Sequence, residues 1–274
     1  MHIKGIERMT NLLTLHDIAL LKGQRKVSMV SCYDATSASI ANASPVDMLY
    51  VGDSLATTIY GFDTTLHATI EMMVAHTQAV SRKAPLKPIV ADMPFLTCSK
   101  GISHAIDCAG ALMRAGAHGI KIEGVLGHED VIQALVNSGI PVVGHVGLTP
   151  QSIYQIGEFK VQGKGKIDGD RIKAQTKRLH ELGICALVFE CVPETLAQEI
   201  TQSLPILTIG IGAGRYTDGQ VLVWQDLLGM DPSFKPKFLR HFGELYAPTL
   251  DALTSFHEAV VKEGFPSDAE TYHG

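Results

Sequence analysis

Two acids in this chain follow two short apolar runs. Met48 to Val51 passes through Gly52 into Asp53 and Ser54, and Pro88 to Ala91 passes into Asp92. Runs this short, apolar and bounded by Pro or Gly read as buried strands, so each acid stands at a strand's carboxyl end. Carboxylates gathered at the ends of successive strands repel one another unless a cation joins them. A hard divalent ion such as Mg²⁺ takes oxygen ligands of this kind. The competing use of either acid is as the N-cap of a following helix, a position Asp favours. Ser54 is placed to donate a hydrogen bond to a ligand held at the same point, or is an ordinary loop serine.

A second group strengthens the functional reading. Lys121 and Glu123 alternate with Ile120 and Ile122, which puts both charges on one strand face, and in a barrel that face is the interior. Glu123 is placed to reach a cation directly or through water, because Mg²⁺ usually keeps several waters. Lys121 suits a substrate carboxylate or a developing oxyanion; the alternative is a Lys–Glu pair that plugs the barrel. Glu190 closes the run Ala186 to Phe189, just before Cys191 and Pro193. Flanked by apolar residues, it is expected to be partly desolvated and so suited to accepting a proton near neutrality. Its competing role is to cap the helix that starts after Pro193. His145, after Val142 to Gly144, reads as a loop histidine that orients a substrate oxygen or satisfies a loop carbonyl. Cys98 and Cys191 have no base beside them in sequence, so neither reads as a nucleophile.

Positioning these side chains requires several parallel strands. Eight apolar runs can be counted, near residues 26–31, 48–51, 88–91, 120–122, 142–144, 186–189, 206–209 and 220–224. Strand and helix alternate eight times in units of about βα-repeat size, which predicts an α/β fold, a (β/α)8 TIM barrel, with the polar strand ends converging on one face. Thr14 before LHDIALLKGQ predicts a helix ahead of the first strand, with Gly23 at its stop. The stretch TTIYGFDTTLHAT after Asp53 is too polar for core and reads as an active-face loop. Met72, Met73, Ala79 and Val80 mark one expected helix face, and Ile102, Ile106, Ala109 and Met113 another. QGKGKIDGD, residues 162–170, reads as a mobile flap followed by a helix over 170–182. We expect a single domain over 1–274, with a barrel core at about 26–230 and a helical tail at about 231–274 packed outside it.

Composition excludes several classes. With 46% hydrophobic and 19% charged residues and a net charge of −5, the chain can bury a substantial core and offers no basic stripe for nucleic acid. Five cysteines without a CxxC pair argue against a disulfide framework or a zinc cage and for a reducing, cytoplasmic setting. The opening MHIKGIERMT lacks the apolar core of a secretion signal, and no stretch stays uncharged long enough for a membrane span. GIGAG at 210–214 has GxGxG spacing and no helix signal after it, so it reads as a rim turn rather than a dinucleotide site.

In this order, VGDSL, ADMPF, IKIEG, GHVGLTPQS, FKVQG, ECVP and IGIGAG…TDGQVLV resemble the ketopantoate (3-methyl-2-oxobutanoate) hydroxymethyltransferase family from about residue 27 to 238. The resemblance implies a barrel of the phosphoenolpyruvate/pyruvate type and transfer of a hydroxymethyl group from 5,10-methylenetetrahydrofolate to 3-methyl-2-oxobutanoate. The product would be ketopantoate, for pantothenate and coenzyme A, formed through an enolate stabilised by Mg²⁺. It implies that Asp53 and Asp92 hold Mg²⁺ with Glu123 as a further acid. Asp53, Ser54, Asp92 and Lys121 would contact the oxo acid, together with His145 from the reading above, and Glu190 would accept the proton. It further implies a homo-oligomer, a decamer built as a pentamer of dimers. The chain departs from the family pattern at Ala56-Thr57, His67, Leu96 to Ser99 and Glu158-Phe159, none of which removes a catalytic side chain. Two other readings share much of this pattern: a sister barrel that cleaves or rearranges C–C or P–C bonds, and a non-catalytic oxo-acid binding protein.

Overall fold

The computed structural model describes residues 13–274; the reading of the opening MHIKGIERMT lies outside them. Eight strands form a closed barrel in sequence order, every neighbouring pair parallel. They are β1 (Val27–Ser31), β2 (Met48–Val51), β3 (Ile89–Asp92), β4 (Gly119–Glu123), β5 (Val142–Gly147), β6 (Ala186–Glu190), β7 (Leu207–Ile211) and β8 (Gly219–Val223). Parallel pairing forces a crossover between successive strands, and Ala35–Ala43, Ile70–Lys83, Ile102–Arg114, Glu129–Asn137, Lys166–Glu181 and Glu194–Ser203 supply helical ones. The expected (β/α)8 barrel is therefore the fold. Contacts divide the chain into two compact units, the barrel unit ending at Val223 and a second unit from Trp224 to Gly274. In the second unit the longest helix is Tyr246–Val261.

The barrel interior below the site is apolar, with Met29, Met48, Val90, Val143, Val188, Leu207, Ile209 and Val221 packed together with Ile18. Ile18 belongs to the short helix Leu15–Ala19, whose N-cap Thr14 and Asp17 form a reciprocal capping box. Burying Ile18 contributes on the order of 2 kcal/mol. Leu15 of the same helix lies against Gly119, where an added Cβ would stand 2.6 Å from its side chain. Gly119 opens β4, so this helix closes the barrel at the amino ends of the strands and leaves the carboxyl ends for chemistry.

Three local expectations need correction. In Ile102–Arg114 the buried stripe is Ala105, Cys108, Ala109 and Leu112, while Ile102 is exposed. The small side chains of Ala105, Cys108 and Ala109 let this helix lie close to its neighbours, and Ile102, Ile106 and Met113 flank the stripe. In Ile70–Lys83 the stripe runs Met73, Thr77 and Val80, and Met72 is only half-buried. The second half of the expected flap is helical from Lys166, because Gly169 continues the buried stripe of Ile172, Thr176 and Leu179 and meets Leu196 at contact distance. Among the described residues, no helix is long and apolar enough to cross a membrane.

Candidate active site

The register of the parallel strands assembles the site. Asp92 on β3 pairs with Lys121 on β4, and Glu123 on β4 pairs with His145 on β5. Neighbouring positions in register carry their side chains to the same face, so four ionisable groups are forced side by side in the barrel. Lys121 Nζ lies 2.9 Å from Asp92 Oδ1 and 3.8 Å from Glu123 Oε1. His145 spans the next gap, with Nδ1 3.3 Å from Glu123 Oε1 and Nε2 3.3 Å from Glu190 Oε2. Asp53 joins from the segment after β2: its backbone N–H donates to Asp92 Oδ2 at 2.9 Å, and the Tyr50 hydroxyl donates to the same oxygen.

The capping roles open to Asp53 and Glu190 do not describe their side chains. The helix after Asp53, Leu55–Thr58, has Ser54 at its N-cap position and no side-chain cap. Pro193, not Glu190, is the N-cap of Glu194–Ser203. His145 is not a loop residue; it sits within β5, 1% exposed, because Gly144 and Gly147 belong to the strand rather than to a turn. Ser54 pairs its hydroxyl with Tyr33 Oη at 2.7 Å, and Tyr33 Oη also meets Ser31 Oγ at 3.0 Å.

Burial sets the electrostatics. Asp53 is held well above the usual carboxylate range by desolvation, with Asp92 and Glu123 adding to the rise. Burial alone would discharge Lys121, but Asp92, Glu123 and Asp53 outweigh it and keep the ammonium charged. Burial raises Glu123, while His145 and Lys121 pull it below its ordinary value overall. Burial and Lys121 both lower His145, yet the carboxylates of Glu123 and Glu190 prevail and the imidazole titrates above its ordinary value. Glu190 is the most open of the acids, with 22% of its side chain exposed against 5% for Glu123 and 1% for Asp92.

Backbone geometry at Glu190 is specific. Its carbonyl accepts from Leu148 N–H at 2.8 Å, and a Cβ on Gly147 would stand 2.2 Å from that oxygen, so only glycine allows the approach. Cys191 follows with φ +48°, a left-handed conformation unusual for a side-chain-bearing residue. Burial pushes the Cys191 thiol up to about 11 and the Cys98 thiol up to about 12, which suits neither to nucleophilic attack.

Gln151 is a site residue that sequence reasoning did not single out, although it lies in the quoted GLTPQS motif. Its side-chain amide donates to Asp53 Oδ2 at 2.8 Å and to the Met93 carbonyl at 3.0 Å, and its backbone N–H donates to Glu123 Oε2 at 3.0 Å. It joins two acids whose strands are not neighbours. Tyr50 and Tyr33 were likewise unmarked, since each lies in or beside a strand run that reads only as core.

A cavity of about 130 Å³ opens among these groups, with Asp53, Ser54, Lys121, Glu123, His145 and Glu190 around it and the apolar barrel interior beneath. The donor set fits a hard cation. Asp53 and Asp92 are adjacent, buried carboxylates, and among the described residues Asp92 Oδ1 has its ion pair with Lys121 but no hydrogen bond. Among the described residues no group of three or more His, Cys, Asp or Glu forms a ready metal cage. Two carboxylates with water or substrate oxygens completing the shell is how Mg²⁺ is commonly held.

Fold and site together define a class: parallel barrels that gather acids and a lysine at the carboxyl ends of their strands. Phosphonopyruvate hydrolase in complex with oxalate and Mg²⁺ superposes with a TM-score of 0.62 at 11% identity, over 95% of this chain and 92% of that one. 2,3-Dimethylmalate lyase, a PEP mutase/isocitrate lyase superfamily member, gives 0.60 at 17% identity, again over 95% and 92%. At such identities the likeness is one of architecture.

Sequence narrows the class. The family model for ketopantoate hydroxymethyltransferase matches residues 12–268, and the chain belongs to that family. It is 50% identical over 246 residues to 3-methyl-2-oxobutanoate hydroxymethyltransferase of Coxiella burnetii (strain CbuG_Q212), covering 89% of this chain and 92% of the relative. It is 43% identical to the enzyme of that name from Thermosipho melanesiensis, covering 96% and 99%. The Legionella pneumophila (strain Lens) relative is 44% identical over 95% of this chain and all of its own length.

Proposed function

We propose that this protein transfers a hydroxymethyl group from 5,10-methylenetetrahydrofolate to 3-methyl-2-oxobutanoate, giving ketopantoate in pantothenate and coenzyme A biosynthesis. The observation that carries the reading is the cluster of Asp53, Lys121, Glu123, His145 and Glu190 around one cavity, with Asp92 ion-paired to Lys121 behind it, in a chain of this family. Asp53 and Asp92 would hold Mg²⁺, with Glu123 as a further acid. When bound, the ion supplies Lewis-acid polarisation of the 2-oxo carbonyl, which acidifies the C3–H bond.

The remaining steps belong to the chain's own side chains. Lys121 Nζ, kept charged by its acids, binds the substrate carboxylate or the oxygen that gains charge as C3 loses its proton. Ser54 and His145 contact the same oxo acid. Glu190 accepts the C3 proton at Oε2, and His145 Nε2 at 3.3 Å orients that carboxylate beforehand. The apolar barrel lining beneath excludes water and suits a branched aliphatic side chain. The nucleophilic C3 then bonds to the donor's one-carbon unit, water supplies the hydroxyl oxygen, and that carbon's bonds to the two folate nitrogens break to release tetrahydrofolate.

The proposed setting is the cytoplasm and the proposed assembly a homodecamer, a pentamer of dimers. An exposed row of Leu250, Leu253, Phe256 and Val260 along Tyr246–Val261 supports burial against further copies. Incubation of the purified protein with Mg²⁺, methylenetetrahydrofolate and a panel of 2-oxo acids, followed by mass spectrometry, tests the reaction. Ketopantoate formed from 3-methyl-2-oxobutanoate supports it. Cleavage of a C–C or P–C substrate instead would assign the chain to a sister chemistry.

A further inference from the structure

The segment between Asp53 and helix Ile70–Lys83 carries a run of rings that the oxo-acid site does not use. Phe62 and His67 stack with centroids 4.4 Å apart and planes 18° from parallel, and Tyr60 lies against Phe62 at 6.4 Å and 23°. Rings that served only the core would be covered, yet Tyr60 and Phe62 remain 45% and 38% exposed. The stack is also tied to the site. Tyr60 O–H donates to His76 Nε2 at 3.0 Å, and His76 Nδ1–H donates to the Tyr33 carbonyl, an oxygen that can only accept and so fixes the tautomer. Tyr33 Oη in turn meets Ser54 Oγ, which borders the cavity.

An independent observation lies between the rings and the cavity. Thr65 lines the cavity and is 8% exposed, and its buried hydroxyl makes no hydrogen bond among the described residues. Buried hydroxyls are ordinarily paired, so one left open where a cavity begins points to a ligand as its partner. The oxo acid is small and aliphatic and has no π face to offer a stack of rings.

We propose that Tyr60, Phe62 and His67 form the seat for the flat heteroaromatic ring of the one-carbon donor, with Thr65 hydrogen-bonding the donor where it enters the cavity. The inference rests on the functional reading above and deepens it. A pterin presents a broad π face and a polar edge, which is the chemistry that stacked rings beside an unpaired hydroxyl recognise. The seat follows β2 in the chain, just beyond Asp53 and Ser54, so a ring held there places its one-carbon unit toward the oxo-acid site.

The test compares the intact enzyme with Phe62→Ala, Tyr60→Ala and the conservative Phe62→Tyr. Two readouts are taken: tetrahydrofolate affinity by titration calorimetry, and Mg²⁺-dependent exchange of the oxo-acid C3 proton in D₂O, which needs no folate. Loss of stacking is expected to weaken tetrahydrofolate by roughly tenfold in each alanine variant, with near-normal affinity for Phe62→Tyr and unchanged exchange in the two Phe62 variants. Unchanged tetrahydrofolate affinity in both alanine variants overturns the seat while leaving the functional reading intact. Loss of exchange alongside folate binding also overturns it, since the rings would then be supporting the oxo-acid site. A wild-type enzyme that neither exchanges the proton nor makes ketopantoate would sink the functional reading and this inference with it.

Discussion

Lys121 on β4 and Asp92 on β3 are partners in register and close an ion pair of 2.9 Å inside the barrel, with 4% and 1% of their side chains exposed. One ammonium thereby serves Asp92 directly and Glu123 at 3.8 Å, leaving Asp53 to be neutralised by other means. A cation at Asp53 and Asp92 would supply what Lys121 alone does not.

Lys121→Met removes the buried ammonium, leaving Asp92 without its cation and Glu123 with His145 alone. Breaking such a pair from one side costs about 3–5 kcal/mol. We expect a marked fall in melting temperature in the presence of a chelator, partly recovered by millimolar Mg²⁺. Melting temperatures indifferent to Mg²⁺ in both the wild type and the variant would count against a cation at these acids.

Gln151→Ala frees Asp53 Oδ2 and removes the tie to the Met93 carbonyl while keeping the backbone donor to Glu123. Groups that orient metal-binding carboxylates typically alter metal affinity by 10- to 100-fold when removed. Titration calorimetry with Mg²⁺ should show a rise in Kd of roughly tenfold with the fold unchanged. An unaltered Kd would make Gln151 a packing residue only.

Asp226, in the second unit, bears on stability rather than catalysis. Burial, reinforced by Asp231, pushes its carboxyl up to about 6 from the ordinary 3.8. The folded state therefore keeps a proton that the unfolded chain releases, so the contribution of this group to stability is greatest below about pH 3.8 and is lost as pH rises through 6. Asp226→Asn is expected to stabilise the protein by about 1 kcal/mol at pH 7.5, discounted because part of the carboxylate still meets water, and by almost nothing near pH 4. Urea unfolding at the two pH values checks it, and an equal gain at both would point to packing instead.

Much of this was legible in the sequence because the period of a strand is two. Lys121 and Glu123 could be assigned to the barrel interior from spacing alone, and Asp53, Asp92 and Glu190 from their places after apolar runs. What the linear pattern did not reveal depends on tertiary register. Gln151 acts across a gap of 98 residues to Asp53, and no local signal marks such a contact. His145 lies within β5 although it stands between two glycines, because Gly144 and Gly147 serve close approach inside and at the end of the strand. The face of Ile102–Arg114 departs from the apolar spacing because Ala105, Cys108 and Ala109 join Leu112 in the buried stripe in place of Ile102, Ile106 and Met113.

Glu190 as the proton acceptor is the central claim, and proton NMR of 3-methyl-2-oxobutanoate in D₂O tests it most directly. With enzyme and Mg²⁺, the C3 proton signal should disappear, and methylenetetrahydrofolate added afterwards should yield ketopantoate. Glu190→Gln should bind the oxo acid and leave the C3 proton in place. Exchange at the wild-type rate in Glu190→Gln would contradict the account.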